Sequence, residues 1–159
     1  MDIFEFAMQM ELDGAKLYRD LAANSQDAGV KRILGQMAED EDKHYAILHS
    51  MSKSADPEMA ETTVLTDAIN IFAGITKDDL DLSSEQVEVY RRAAEIEAKS
   101  EAFYIEKAGE VDNAAQKDLL LRLADEEKRH RHLLEGMVEF LQAPDSWLEN
   151  AEFTNLGDY

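Results

Sequence analysis

The chain has no cysteine, and only two prolines and seven glycines among 159 residues. Without thiols it can form no disulfide, iron–sulfur cluster, thiolate zinc site or rubredoxin-type iron centre. The shortage of Pro and Gly removes the usual helix breakers, and the many Ala, Leu, Glu, Lys and Met residues favour helix over sheet. Basic residues are also scarce, with 16 Lys and Arg against 35 Asp and Glu, a formal charge of −19. Nucleic acid and anionic membrane surfaces would both repel such a chain, so neither is expected as a partner. No apolar run approaches the roughly 18 residues of a membrane span, and the opening Met1-Asp2-Ile3-Phe4-Glu5 is acidic, unlike a basic, apolar leader. A soluble cytoplasmic protein with one domain and one core is the expectation.

What the chain does have is a repeat. Glu11 is followed 30 residues later by Glu41-Asp42-Lys43-His44, and Glu97 is followed 30 residues later by Glu127-Lys128-Arg129-His130. Glu11 and Glu97, Glu41 and Glu127, and His44 and His130 each stand 86 residues apart, as do Tyr18 and Tyr104, and Ala38 and Ala124. This is an internal duplication of a helical hairpin. It supplies four carboxylates and two imidazoles, the groups that a dimetal site inside a four-helix bundle needs.

Apolar residues at steps of three and four predict the helices. The first runs from Ile3 to about Ala23 on Ala7, Met10, Gly14, Leu17, Tyr18 and Leu21, with Glu11 inside that stripe. Asn24-Ser25-Gln26-Asp27 offers caps for a second helix from about Asp27 to Ser52, striped by Leu34, Met37, Glu41, His44, Leu48 and Met51. A third, from about Glu85 to Ala108, carries Val87, Tyr90, Ala94, Glu97, Glu101 and Tyr104, and Gly109 is expected to stop it. Asp112 or Asn113 can cap a fourth from about Ala114 to Leu141, with Leu120, Leu123, Glu127, His130, Leu134, Met137 and Leu141 on one face. Short loops make each pair antiparallel neighbours. The connection of about 30 residues between the hairpins is long for a bundle and implies a crossover, with a small helix near Thr66 to Ile75. The bundle is thus assigned to residues 1–142, and the aromatic tail 143–159 is expected to pack on the bundle or on a partner subunit.

In Glu-x-x-His the two side chains lie one turn apart on the same face, so both can reach one metal pair. On that reading Glu41 and Glu127 bridge two ions, Glu11 and His44 complete one, and Glu97 and His130 complete the other. Four carboxylates balance two divalent cations, and oxygen-rich ligation with one imidazole per ion suits iron or manganese better than zinc. A lone Glu-x-x-His is a weak signal; two copies at one offset, each preceded by a stripe Glu, are a strong one. Tyr18 and Tyr104 are either neighbours of the metals or plain core. Glu101, whose counterpart is Ala15, is either an additional ligand or a surface ion-pair partner. Asp40 and Glu126 could orient imidazoles, although solvated positions are expected for both, and His49 and His132 fall off the stripes, so exposure is expected.

At these residues the sequence resembles the ferritin-like superfamily and, within it, the rubrerythrin group. The pattern Glu11, Glu41-x-x-His44, Glu97, Glu127-x-x-His130 spans nearly the whole chain. The resemblance implies a ferritin-like four-helix bundle with a left-handed crossover between helices two and three. It also implies a centre of two iron ions, or of manganese or mixed iron and manganese, acting on peroxide or dioxygen. Rubrerythrins reduce hydrogen peroxide with electrons passed through a cysteine-ligated rubredoxin domain. A chain without cysteine would need a separate electron-donor protein. A homodimer is the expected assembly, and a ferroxidase or a non-catalytic metal-binding protein are the alternatives. Rubrerythrins carry a further Glu about one turn beyond the helix-three ligand, where this chain has Ser100 and then Glu101.

Overall fold

The computed structural model describes residues 3–53 and 84–142. The expected crossover with its small helix and the aromatic tail lie outside the described residues. Four helices make up what is described: α1 Ile3–Asn24, α2 Ala28–Ser52, α3 Ser84–Glu110 and α4 Ala114–Gln142. Among the described residues there is no strand.

The helix starts follow from local chemistry. Asp27 is extended, and its side chain accepts a hydrogen bond from the Val30 backbone N–H at 2.8 Å, satisfying one of the donors that a first turn leaves unpaired. Asn113 does the same for Gln116 at 3.0 Å. The expected stop at Gly109 is not observed, since α3 continues to Glu110. A helical glycine costs only about 1 kcal/mol relative to alanine. Burial of Ala108 and packing of Val111 against the core on either side of it hold the last turn in place.

The helices pair as α1 with α2 and α3 with α4, and the two hairpins meet through α2 and α4. The core falls into two apolar clusters, and the duplication decides their membership. One gathers Ile33, Leu34, Met37 and Ala38 from the first repeat with Leu133, Leu134 and Met137 from the second. The other gathers Leu119, Leu120, Leu123 and Ala124 from the second repeat with Ile47, Leu48 and Met51 from the first. Each of these residues finds its equivalent 86 positions away in the other cluster. The hairpins are therefore related by a pseudo-twofold axis, and residues at the centre of each repeat are carried to one place.

Leu34 and Leu120 are equivalent and fully buried, whereas Leu121 is 44% exposed. Leu34→Ala and Leu120→Ala should each destabilise the protein by about 2–5 kcal/mol in urea titrations, and Leu121→Ala by less than about 0.5 kcal/mol. A cost below about 1 kcal/mol at both buried leucines would contradict this description of the core.

Candidate metal centre

Six side chains from four helices meet at this place. Glu11, Glu41, His44 and Glu127 offer one set of ligand atoms that all lie within 4.8 Å of one another; Glu41, Glu97, Glu127 and His130 offer a second. Glu41 and Glu127 belong to both sets, while Glu11 with His44, and Glu97 with His130, belong to one each. All six are buried. Each imidazole turns Nδ1 toward the carboxylates. His44 Nδ1 lies 3.2 Å from Glu127 and 3.3 Å from Glu11, and His130 Nδ1 lies 2.9 Å from Glu41 and 3.6 Å from Glu97. The rings stack with centroids 5.9 Å apart. Each histidine is thus closest to the Glu of the other repeat's Glu-x-x-His, and the two hairpins are interlocked at the site.

Further contacts hold this arrangement from outside. The Tyr18 hydroxyl donates to Glu97 and the Tyr104 hydroxyl to Glu11, again each across the repeats. Both phenols are core residues and hydrogen-bonding neighbours at once. Asp40 corrects the solvated expectation. It is 2% exposed and accepts from His130 Nε2 at 3.2 Å, which leaves Nδ1 of that ring free for the cluster. The imidazole that Asp40 orients sits 90 residues on, in the other hairpin, and is not the one on its own helix. Glu126 is likewise buried, and it accepts from Arg129 at 2.7 Å.

Glu101 lies outside both ligand sets. Its Oε2 accepts from Arg131 Nε at 3.1 Å and from an Arg131 terminal nitrogen at 2.9 Å, with 19% of its side chain exposed. The equivalents of this pair in the first repeat are Ala15 and Tyr45. Acid and base are therefore present or absent together, as an ion pair requires. His49 and His132, expected to be exposed, are half-buried: His49 stacks on Tyr45, and His132 Nδ1 is 3.5 Å from Glu135.

The electrostatics separate the carboxylates into two kinds. Burial alone raises every carboxyl group here. At Glu11 that effect is outweighed by a hydrogen bond with Glu41, by His44 and by the Tyr104 phenol, which bring it down to about 2. Glu97 is likewise lowered against burial, by Glu127, His130 and Tyr18. Glu41 and Glu127 go the other way. Burial raises both, and the surrounding carboxylates raise them further, so both bind protons more tightly than an ordinary carboxyl group. Burial lowers His130, yet Asp40 and Glu97 more than reverse this and raise it well above its ordinary value.

Several polar atoms of this cluster lack a hydrogen-bond partner: Glu11 Oε2, Glu41 Oε1, both Glu127 oxygens, both His44 nitrogens and His130 Nδ1. A buried polar atom left unpaired costs about 1–3 kcal/mol. Seven such atoms in one cluster fit lone pairs held ready for cations. Four carboxylates and two imidazoles are also the donor set that two divalent ions would neutralise.

A four-helix bundle whose core holds two overlapping carboxylate–imidazole sets is a ferritin-like protein, and the cluster points to a metal site. The rubrerythrin family model matches residues 2–138, and the chain belongs to the rubrerythrin family. No curated protein and no solved structure gives a significant match. Among the described residues no helix is long and apolar enough to cross a membrane.

Glu41, Glu127 and His130, all with raised proton affinity, set the pH dependence of cation binding. A cation must displace protons that these groups hold because their pKa values are raised, so binding strengthens as pH rises. Glu11, already ionised, adds no dependence near neutrality. The affinity for Mn(II) should therefore be higher at pH 7.5 than at pH 6. Calorimetry in buffers of different ionisation enthalpy should show proton release; uptake, or no proton change, would contradict this charge distribution.

Proposed function

We propose that the chain is a non-haem di-iron oxidoreductase that reduces hydrogen peroxide with electrons from a separate donor protein. The observation that carries this reading is the sharing of Glu41 and Glu127 between the two ligand sets. In it Glu41 and Glu127 would be shared by two ions, with Glu11 and His44 completing the hold on one and Glu97 and His130 on the other. A bound iron pair would supply Lewis acidity and the two electrons that break an O–O bond.

The chain's own residues do the rest. Tyr18 and Tyr104 fix the orientation of the two terminal carboxylates through their hydroxyls. Asp40 fixes the His130 ring and keeps its proton on Nε2. The leucines and methionines of both clusters limit water around the carboxylates, which strengthens every charge interaction there. With no cysteine in the sequence, electrons have no thiolate-ligated relay within this chain.

A second reading is ferroxidase chemistry, in which iron(II) is the substrate. The formal charge of −19 favours it, because an acidic surface raises the local concentration of cations.

The two readings separate on the oxidant. For peroxidase chemistry, anaerobically reduced, iron-loaded protein should oxidise faster with equimolar hydrogen peroxide than with dioxygen in stopped-flow absorbance; the reverse order would favour ferroxidase. His44→Ala and His130→Ala should each lose at least one of two ions per chain by elemental analysis. Unchanged metal content in both variants would sink the ligand assignment.

A further inference from the structure

The ligand set leaves a pocket between α1 and α3 unused. It encloses about 570 Å³, and Phe6, Met10, Leu17, Ile96 and Phe103 give it a largely apolar wall. Small-molecule sites fall at roughly 300–1,000 Å³ and share this character. The wall repeats the duplication: Met10 pairs with Ile96 and Leu17 with Phe103, each 86 residues apart. The pocket therefore sits on the same pseudo-twofold relation that pairs Glu41 with Glu127.

Its link to the metal centre is a missing side chain. Gly14 lines the pocket, and a Cβ placed on it would stand 3.2 Å from Glu41 Oε2. Any larger residue would press on the shared carboxylate, so Gly14 packs on Glu41 while it also lines the pocket. The equivalent position in the second repeat is Ser100, also small and also lining the pocket. Two small residues at matching positions thus form the part of the pocket wall nearest the buried ligand layer.

The charges of the pocket narrow the ligand class. Asp13 and Lys99 are equivalent residues, both exposed and both lining it, and together they carry no net charge. An anionic ligand gains nothing from such a pair and is repelled by the molecule as a whole. An uncharged organic molecule fits. Hydrogen peroxide, with no apolar part, makes no use of the wall.

Building on the peroxide-reducing reading, we propose that this pocket binds the organic group of an alkyl hydroperoxide and presents its O–O bond to the site beside Glu41. The reaction is ROOH plus two electrons and two protons giving ROH and water. The O–O bond breaks, the electrons come from the external donor protein through the iron pair, and the protons come from solvent. Filling the wall with the organic group favours such a substrate over hydrogen peroxide, since each methylene in an apolar site contributes roughly tenfold or more to selectivity.

The test has a binding arm and a rate arm. In the first, metal-free protein is titrated with cumyl alcohol, the unreactive product, by calorimetry. It should bind, and Ile96→Asp, at a position 47% exposed and so compatible with folding, should weaken binding at least about tenfold. In the second, reduced iron-loaded protein is mixed with cumene hydroperoxide or hydrogen peroxide. The rate ratio should favour cumene hydroperoxide in the wild type and fall at least about tenfold in Ile96→Asp. Leu121→Asp, exposed on α4 away from the pocket, should leave the ratio unchanged. No alcohol binding with faster oxidation by hydrogen peroxide would overturn the pocket assignment while the peroxide reading stands. Oxidation by neither peroxide would overturn that reading, and the hydroperoxide assignment with it. If Ile96→Asp instead splits a dimer by light scattering and the alcohol never binds, the pocket is a contact between copies of the chain and the proposal fails.

Discussion

Four carboxylates and two imidazoles buried together are the constraint on which the rest of this structure depends. Burial raises the proton affinity of every carboxyl group, and mutual repulsion raises it further, so the cluster is unfavourable unless protons or cations neutralise it. In the metal-free state proton affinity is raised at Glu41 and Glu127 and lowered at Glu11 and Glu97 beside histidine and tyrosine. This division coincides with the geometry: the two groups with raised proton affinity are the two shared by both ligand sets. The apolar clusters bordering this layer must then supply the folding energy that the layer does not, and they do so with equivalent residues from both repeats.

The pseudo-twofold symmetry is close at the ligands and relaxed around them. His130 has a carboxylate behind its ring, at Asp40, whereas His44 Nε2 is buried without a hydrogen-bond partner. Glu101 and Arg131 replace Ala15 and Tyr45, adding an ion pair to one side only. Gly14 answers Ser100, and Asp13 answers Lys99. The duplication thus preserved what the cluster needs and let its surroundings diverge, so that the two halves of the site have different environments. The pocket lies where that divergence replaced charge symmetry with an opposed pair.

The helices, their antiparallel pairing and the six residues of the cluster were legible in the sequence because each rests on a local rule. Helical spacing places Glu41 and His44 on one face. A fixed offset of 86 residues then requires the second repeat to do the same. Asp27 and Asn113 announce helix starts through side chains that reach only three residues along the chain. Where a local rule was weak it failed, as at Gly109, whose small helical penalty is overridden by packing on both sides.

What only the tertiary structure decided are contacts between repeats. That Asp40 serves His130 and not His44, that Tyr18 reaches Glu97 and Tyr104 reaches Glu11, and that Glu101 belongs to Arg131 all depend on how one hairpin lies against the other. The pocket belongs to the same kind, since no spacing within α1 or α3 reveals the room between them. The sequence by itself determined which side chains share a helix face, because a helix's period is fixed by its own backbone. It left open which faces meet and how closely, because that depends on the packing of residues far apart along the chain.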